Sequence, residues 1–160
     1  MAAKAIIIMG SASDSEHAEK IRVPLARWGV DVEVRVASAH KSVQHLLDLL
    51  AEYEGAGGPR VYITVAGRSN ALGGLVDASV TAPVITCPPY SDAFGGADVY
   101  SSLRMPGGVA PLVVLEPANA ALAAAKILGL TDASLAEAIR KEQSDNRNRI
   151  IEDDRRLRGK

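Results

Sequence analysis

Four short stretches of this 160-residue chain carry the residue types that suit chemistry. Ala37-Ser38-Ala39-His40-Lys41-Ser42 sets an imidazole beside a cation and two hydroxyls, and His is the side chain best suited to moving protons near neutral pH. Gly10-Ser11-Ala12-Ser13-Asp14 joins a Gly, which permits close backbone approach, to two hydroxyls at the start of a helical pattern. Free N–H groups there favour an anion. Ala66-Gly67-Arg68-Ser69-Asn70 supplies backbone and side-chain donors for something small and oxygen-rich. Cys87-Pro88-Pro89, followed by Tyr90 to Gly96, is stiffened by two prolines whose preceding bonds are open to either isomer. Each stretch also has a plain structural alternative: Ser13 or Asp14 as a helix N-cap, His40 as a surface His at a helix start, Asn70 as the next N-cap. Cys87 reads as a structural thiol, since nothing in the sequence ties His17, His40 or His45 to it. The first loop fits neither the Walker nor the dinucleotide spacing. Asp14, Asp92 and Asp98 show no ligand spacing, so no metal site is expected.

For such loops to act together, the elements between them must deliver them to one place. Ala5–Met9 is a continuous apolar run that suits a strand buried on both faces. Asp14–Trp28 has helical spacing, with Pro24 inside to distort it. Val32–Val36 reads as a strand with Glu33 and Arg35 alternating outward, and Val43–Tyr53 as a helix with a broad leucine stripe. Val61–Ala66, Ala71–Ser79 and Val84–Thr86 continue as strand, helix and strand. An irregular stretch spans Cys87–Gly108, before a strand at Val113–Leu115 and a small-residue helix over Asn119–Leu128. This alternation predicts right-handed βαβ units: an α/β, three-layer αβα architecture with a doubly wound parallel sheet of about five strands. Ligands bind at the carboxyl ends of such strands, where all four loops emerge. Small polar and basic loops converging on one crevice imply a phosphorylated small molecule, with His40 as the proton carrier.

Composition bounds the alternatives. Apolar residues are 48% and charged residues 23%, so disorder and coiled coil are poor readings. Aromatics are only 4% while Ala numbers 26, so the core is aliphatic and close-packed. A net charge of −1 and a pI near 6.3 argue against nucleic-acid binding through phosphates. The single Cys87 excludes an internal disulfide or a multi-Cys zinc site. No apolar run reaches the ~18 residues a membrane span needs, and the start MAAKAIIIMG lacks a signal-peptide pattern. A cytoplasmic protein of one domain is expected, with its core over about residues 4–130 and a helical extension over 131–160. Residues 140–160 carry net +3 against −4 for the rest. With only Leu135, Ile139, Ile150, Ile151 and Leu157 as apolar contacts, a helix there is too polar to be held by its own domain alone. It is either a solvated tail or, as expected here, a C-terminal helix packing on a neighbouring subunit.

Met9-Gly-Ser-Ala-Ser-Asp14, Ser38-Ala-His-Lys41, Ala66-Gly-Arg-Ser-Asn70, Ser101-Ser-Leu-Arg-Met-Pro106 and Pro117-Ala-Asn-Ala-Ala121 together resemble the phosphoribosylaminoimidazole carboxylase family of purine biosynthesis, in order and spacing across about residues 5–130. The resemblance implies a flavodoxin-like fold. Class I members, which rearrange an N5-carboxylated ribonucleotide, carry Ser-Ala-His-Arg and a Gly-Gly-Ala-Ala-His-Leu-Pro-Gly loop. Here Lys41 replaces that Arg and Ala71 stands where the second His would be. Lys41, Arg68-Ser69-Asn70 and Cys87-Pro88-Pro89 look like class II, which places CO2 directly on C4 of 5-aminoimidazole ribonucleotide.

What the resemblance implies for the residues is specific. His40 transfers the C4 proton; Arg68 with the Gly67, Ser69 and Asn70 donors receives the carboxylate. Ser11, Ser13, Ser38 and Lys41 hold the 5′-phosphate, Asp14 accepts from the ribose hydroxyls, and Gly10 and Ala39 also bind the substrate. No metal or organic cofactor is implied, and the partner is a second copy of the chain: a homo-oligomer, commonly an octamer, with a tetramer as the alternative. Two other functions remain open: the class I mutase reaction, and a non-catalytic flavodoxin-like module that binds a nucleotide monophosphate.

Overall fold

A computed structural model describes residues 3–159. Five strands, β1 (Lys4–Met9), β2 (Asp31–Val36), β3 (Arg60–Val65), β4 (Val84–Thr86) and β5 (Leu112–Val113), form one sheet in the order β2-β1-β3-β4-β5. All pairings are parallel. The central strands are apolar on both faces because both faces are covered. Successive side chains of β1 diverge: Ile7 and Met9 pack with α1 (Ser15–Arg27) and α5 (Pro117–Leu128), while Ile6 and Ile8 pack with α2 (Val43–Ala56) and α3 (Ala71–Ser79). Ala120, Ala121, Ala124 and Ala125 of α5 are wholly buried. A helix faced with methyl groups lies close to the sheet, which accounts for a core so rich in Ala. The result is an α/β, three-layer αβα fold. Met9 sits level with both Val36 and Val65, so the loops after β1, β2 and β3 leave the sheet side by side.

Several local expectations need correction. Glu33 and Arg35 alternate as read but do not point into open solvent. They meet Tyr53 of α2, whose hydroxyl donates to the Glu33 carboxylate and accepts from Arg35 Nη1 at 2.8 Å. Lys4 pairs with Glu33 and with Asp31, and Arg60 lies 3.5 Å from Glu54, so the starting edge of the sheet carries an ionic border. As read, Pro24 lies inside the helix α1, which runs on to Arg27. Strand β5 sits one residue earlier than read and spans two residues. The stretch after Cys87 is not wholly irregular: it holds single 3-10 turns at Asp92–Phe94 and Ala97–Val99 and a short helix α4 (Tyr100–Leu103). Every peptide bond among the described residues is trans, including those before Pro88 and Pro89.

The C-terminal helix α6 (Ala133–Arg158) starts at Asp132, whose carboxylate accepts from the N–H groups of Ser134 and Leu135 at 3.0 Å each. Its first turns are held by the chain's own fold. Leu135 and Ile139 are buried in the α1/α5 core, and the Glu142 carboxylate accepts from Trp28 Nε1 at 2.6 Å and from Arg27. Beyond Glu142, the apolar Ile150, Ile151 and Leu157 are exposed.

Candidate functional site

The four strand-end loops enclose a cavity of about 770 Å³. From the first loop, Gly10, Ser11, Ser13 and Asp14 line it. Ser11 is the cap residue here: its Oγ accepts from Ser13 N at 3.2 Å and Ser13 Oγ at 2.9 Å, leaving its own proton for a ligand. Asp14 precedes α1 without a side-chain cap bond. Burial raises the Asp14 pKa from its ordinary value, and neighbouring His17 works against that shift.

From the second loop come Ser38, Ala39, His40 and Lys41. Ser38 Oγ accepts from the backbone N–H groups of His40 and Lys41 at 3.3 and 3.2 Å, and Ser42 Oγ accepts from Ser38 N at 2.9 Å. These bonds fold a tight turn that presents both side chains on the cavity wall. Among the described residues, neither the His40 ring nor the Lys41 ammonium has a hydrogen-bond or ion-pair partner within the chain, so both are free for a ligand.

The third loop contributes Gly67, Arg68 and Ser69. Arg68 is held at φ +61°, left-handed backbone that non-glycine residues rarely adopt. Its N–H donates to Asp98 Oδ2 at 2.9 Å, and Ser101 Oγ donates to its carbonyl at 3.1 Å. Asn70 departs from the expected set. It is only 4% exposed and does not line the cavity. Its Oδ1 accepts from Gly73 N at 3.1 Å, its Nδ2 donates to Ser102 Oγ at 3.0 Å, and its backbone N–H donates to Ser101 Oγ at 3.0 Å. It caps α3, the plain alternative raised from sequence. With the Arg68 and Asn70 N–H groups both engaged, the loop still offers the Arg68 guanidinium, Ser69 and the backbone at Gly67 to a ligand.

Tyr90 and Ser91, with Pro89, complete the wall. Sequence reasoning placed their loop at a strand end but named none of them as ligands; the usable signal was a rare aromatic directly after two prolines. Cys87 is wholly buried and outside the cavity lining. Its Sγ lies 3.4 Å from His17 Nε2 and 3.6 Å from the Leu115 carbonyl. Burial pushes the thiol up to about 12 and lowers the His17 pKa. Both groups are therefore neutral at pH 7, and a thiol so protonated is a poor nucleophile. Among the described residues, no three His, Cys, Asp or Glu side chains are grouped to hold a metal ion.

Comparison with known proteins agrees with this arrangement. The family model described as AIR carboxylase matches residues 4–149. A phosphoribosylaminoimidazole carboxylase of Treponema denticola is 52% identical over 153 residues, 96% of each chain. One of Archaeoglobus fulgidus is 52% identical over 155 residues, 97% of this chain and 85% of that one. The crystal structure of Treponema denticola PurE superposes with a TM-score of 0.95 at 51% identity, covering 97% of this chain and 98% of that one. With its fold, its loops and nearly its whole length accounted for in this way, the chain belongs to the AIR carboxylase family of enzymes.

Proposed function

We propose that the chain carboxylates 5-aminoimidazole ribonucleotide at C4 with CO2, reversibly giving 4-carboxy-5-aminoimidazole ribonucleotide in de novo purine biosynthesis. The observation that carries this reading is one cavity in which His40, the sole imidazole of its lining, stands among the anion-type loop at residues 10–14, Lys41 and Arg68. C4 of the aminoimidazole is an enamine carbon: the C4=C5 π pair attacks the carbon of CO2 while the lone pair of the exocyclic amine moves into a C5=N bond. The adduct carries hydrogen and carboxylate on a tetrahedral C4. His40 takes that proton, the electron pair returns to the ring and aromaticity is restored; the reverse transfer starts decarboxylation.

Arg68 and Ser69 meet the charge that grows on the carboxylate oxygens as the C–C bond forms, which lowers the barrier rather than merely holding the ground state. Ser11, Ser13, Ser38 and Lys41 hold the 5′-phosphate, helped by the backbone at Gly10 and Ala39, and Asp14 accepts from the ribose hydroxyls. The reaction is redox-neutral and the substrate furnishes its own electron pair, so this chemistry calls for neither a metal nor an organic cofactor. The working form is a cytoplasmic homo-oligomer of one-domain subunits, an octamer or a tetramer. Exposed Phe94, Tyr100, Leu103, Leu112 and Leu115, together with the outer half of α6, favour such assembly.

The deciding experiment supplies aminoimidazole ribonucleotide with bicarbonate as the CO2 source, and separately the N5-carboxylated ribonucleotide. Turnover of the first alone is expected. Turnover of the second alone would make the chain a mutase, and turnover of neither would leave a nucleotide-binding module.

A further inference from the structure

The chemistry above makes no use of residues 96–102, yet this segment grips the Arg68 loop at several points. Arg68 is the one non-glycine residue at positive φ among those described, and L-residues leave that region unless something holds them there. Asp98 Oδ2 accepts from the Arg68 N–H at 2.9 Å. Ser101 Oγ, its proton shared between the carbonyls of Arg68 and Asp98, accepts in turn from Asn70 N. Asp98 does not line the main cavity. It lies on a smaller pocket of about 260 Å³ beyond Pro89, bordered by Val99 and Leu115. The turn that carries Asp98 starts at Gly96, also at positive φ, against which the Tyr90 ring is packed. Asp98 spends its charge on a backbone N–H and forms no ion pair with the guanidinium among the described residues. The loop is thereby fixed without quenching the cation it presents.

We infer that Asp98, supported by Ser101, is a positioning residue for carboxylation: it locks Arg68 in left-handed backbone so that the guanidinium faces the growing carboxylate. This rests on the reading of Arg68 given above. The test compares Arg68→Ala, Asp98→Ala, Asp98→Asn, Ser101→Ala and the double variant Arg68→Ala/Asp98→Ala by steady-state carboxylation and by melting.

Asp98→Ala should lower kcat roughly 10–100-fold, the scale of a small misplacement, while KM for the ribonucleotide moves far less. Asp98→Asn should recover most of the rate, because its amide oxygen still accepts from Arg68 N. The double variant should be no slower than Arg68→Ala, because residues acting as one unit do not add. A normal rate in Arg68→Ala would remove the underlying reading. A reduced rate in Arg68→Ala beside a normal rate in Asp98→Ala would overturn the positioning role alone, as would fully multiplicative losses in the double variant. If Asp98→Ala does not fold, Asp98→Asn and Ser101→Ala carry the comparison: a rate in Asp98→Asn as low as in Arg68→Ala, or a normal rate in Ser101→Ala, would overturn it.

Discussion

His40 and Lys41 are adjacent in sequence, share the Ser38 hydroxyl as their backbone anchor, and should nonetheless fail differently when replaced. His40→Asn removes the proton carrier but not the turn, so kcat should fall ~10²–10⁴-fold while the ribonucleotide still binds in calorimetry. Lys41→Ala removes a phosphate contact, so KM should rise with a smaller change in kcat; the opposite split would move Lys41 into the chemistry. His17 belongs to stability instead. Burial, the main cause, lowers its pKa from 6.5, so the neutral ring contributes fully above pH 6.5 and that contribution is lost as pH falls through the lower folded value. His17→Gln should therefore flatten the loss of melting temperature on the acid side of pH 6.5, read from melts at a series of pH values. The His40 loop was legible in sequence because its chemistry is contiguous. The His17–Cys87 pair was not, since only the packing of α1 against the end of β4 joins positions seventy residues apart.

At the scale of elements, two glycines in helices give opposite expectations. Alanine is preferred over glycine by about 1 kcal/mol inside a helix. At Gly73, however, an added Cβ would lie 2.3 Å from Thr86 Oγ1 and crowd the Asn70 cap. Overpacking of this kind costs about 1–3 kcal/mol, so Gly73→Ala should lower the melting temperature. Gly55 in α2 has nothing within 4 Å of the same position, and Gly55→Ala should stabilise by about 0.5–1 kcal/mol in denaturant titration. Elements with a clear period were readable from the chain: α3 has the bounds its spacing suggested, and β1 and β4 differ by one residue at most. The end of β5 was not, because Leu112 to Leu115 are uniformly apolar while Leu112 and Leu115 are about half exposed, so no alternation marks where pairing stops. The turns at 92–99 and α4 are too short to show any period. For Glu33 and Arg35 the alternation was legible but the destination was not, since Tyr53 arrives from another element.

For the molecule as a whole, α6 separates holding the fold from reaching outward. Leu135, Ile139 and Glu142 anchor its first turns, so removing residues 143–160 should leave melting little changed while the sedimentation coefficient reports a smaller assembly. An unchanged oligomer would assign that half of the helix to solvent. The sheet has a division of its own. Six-residue strands put Lys4 and Arg60, with their ionic border, roughly 17 Å from Met9 and Val65, where the cavity loops begin. Substitutions farther apart than ~10 Å that share no partners combine by simple addition. Heat tolerance and turnover are thus separately heritable traits of one small chain: variants selected at the starting edge for survival at high temperature should keep their parent's kinetics, and a faster enzyme bred at the other edge could inherit that tolerance unaltered.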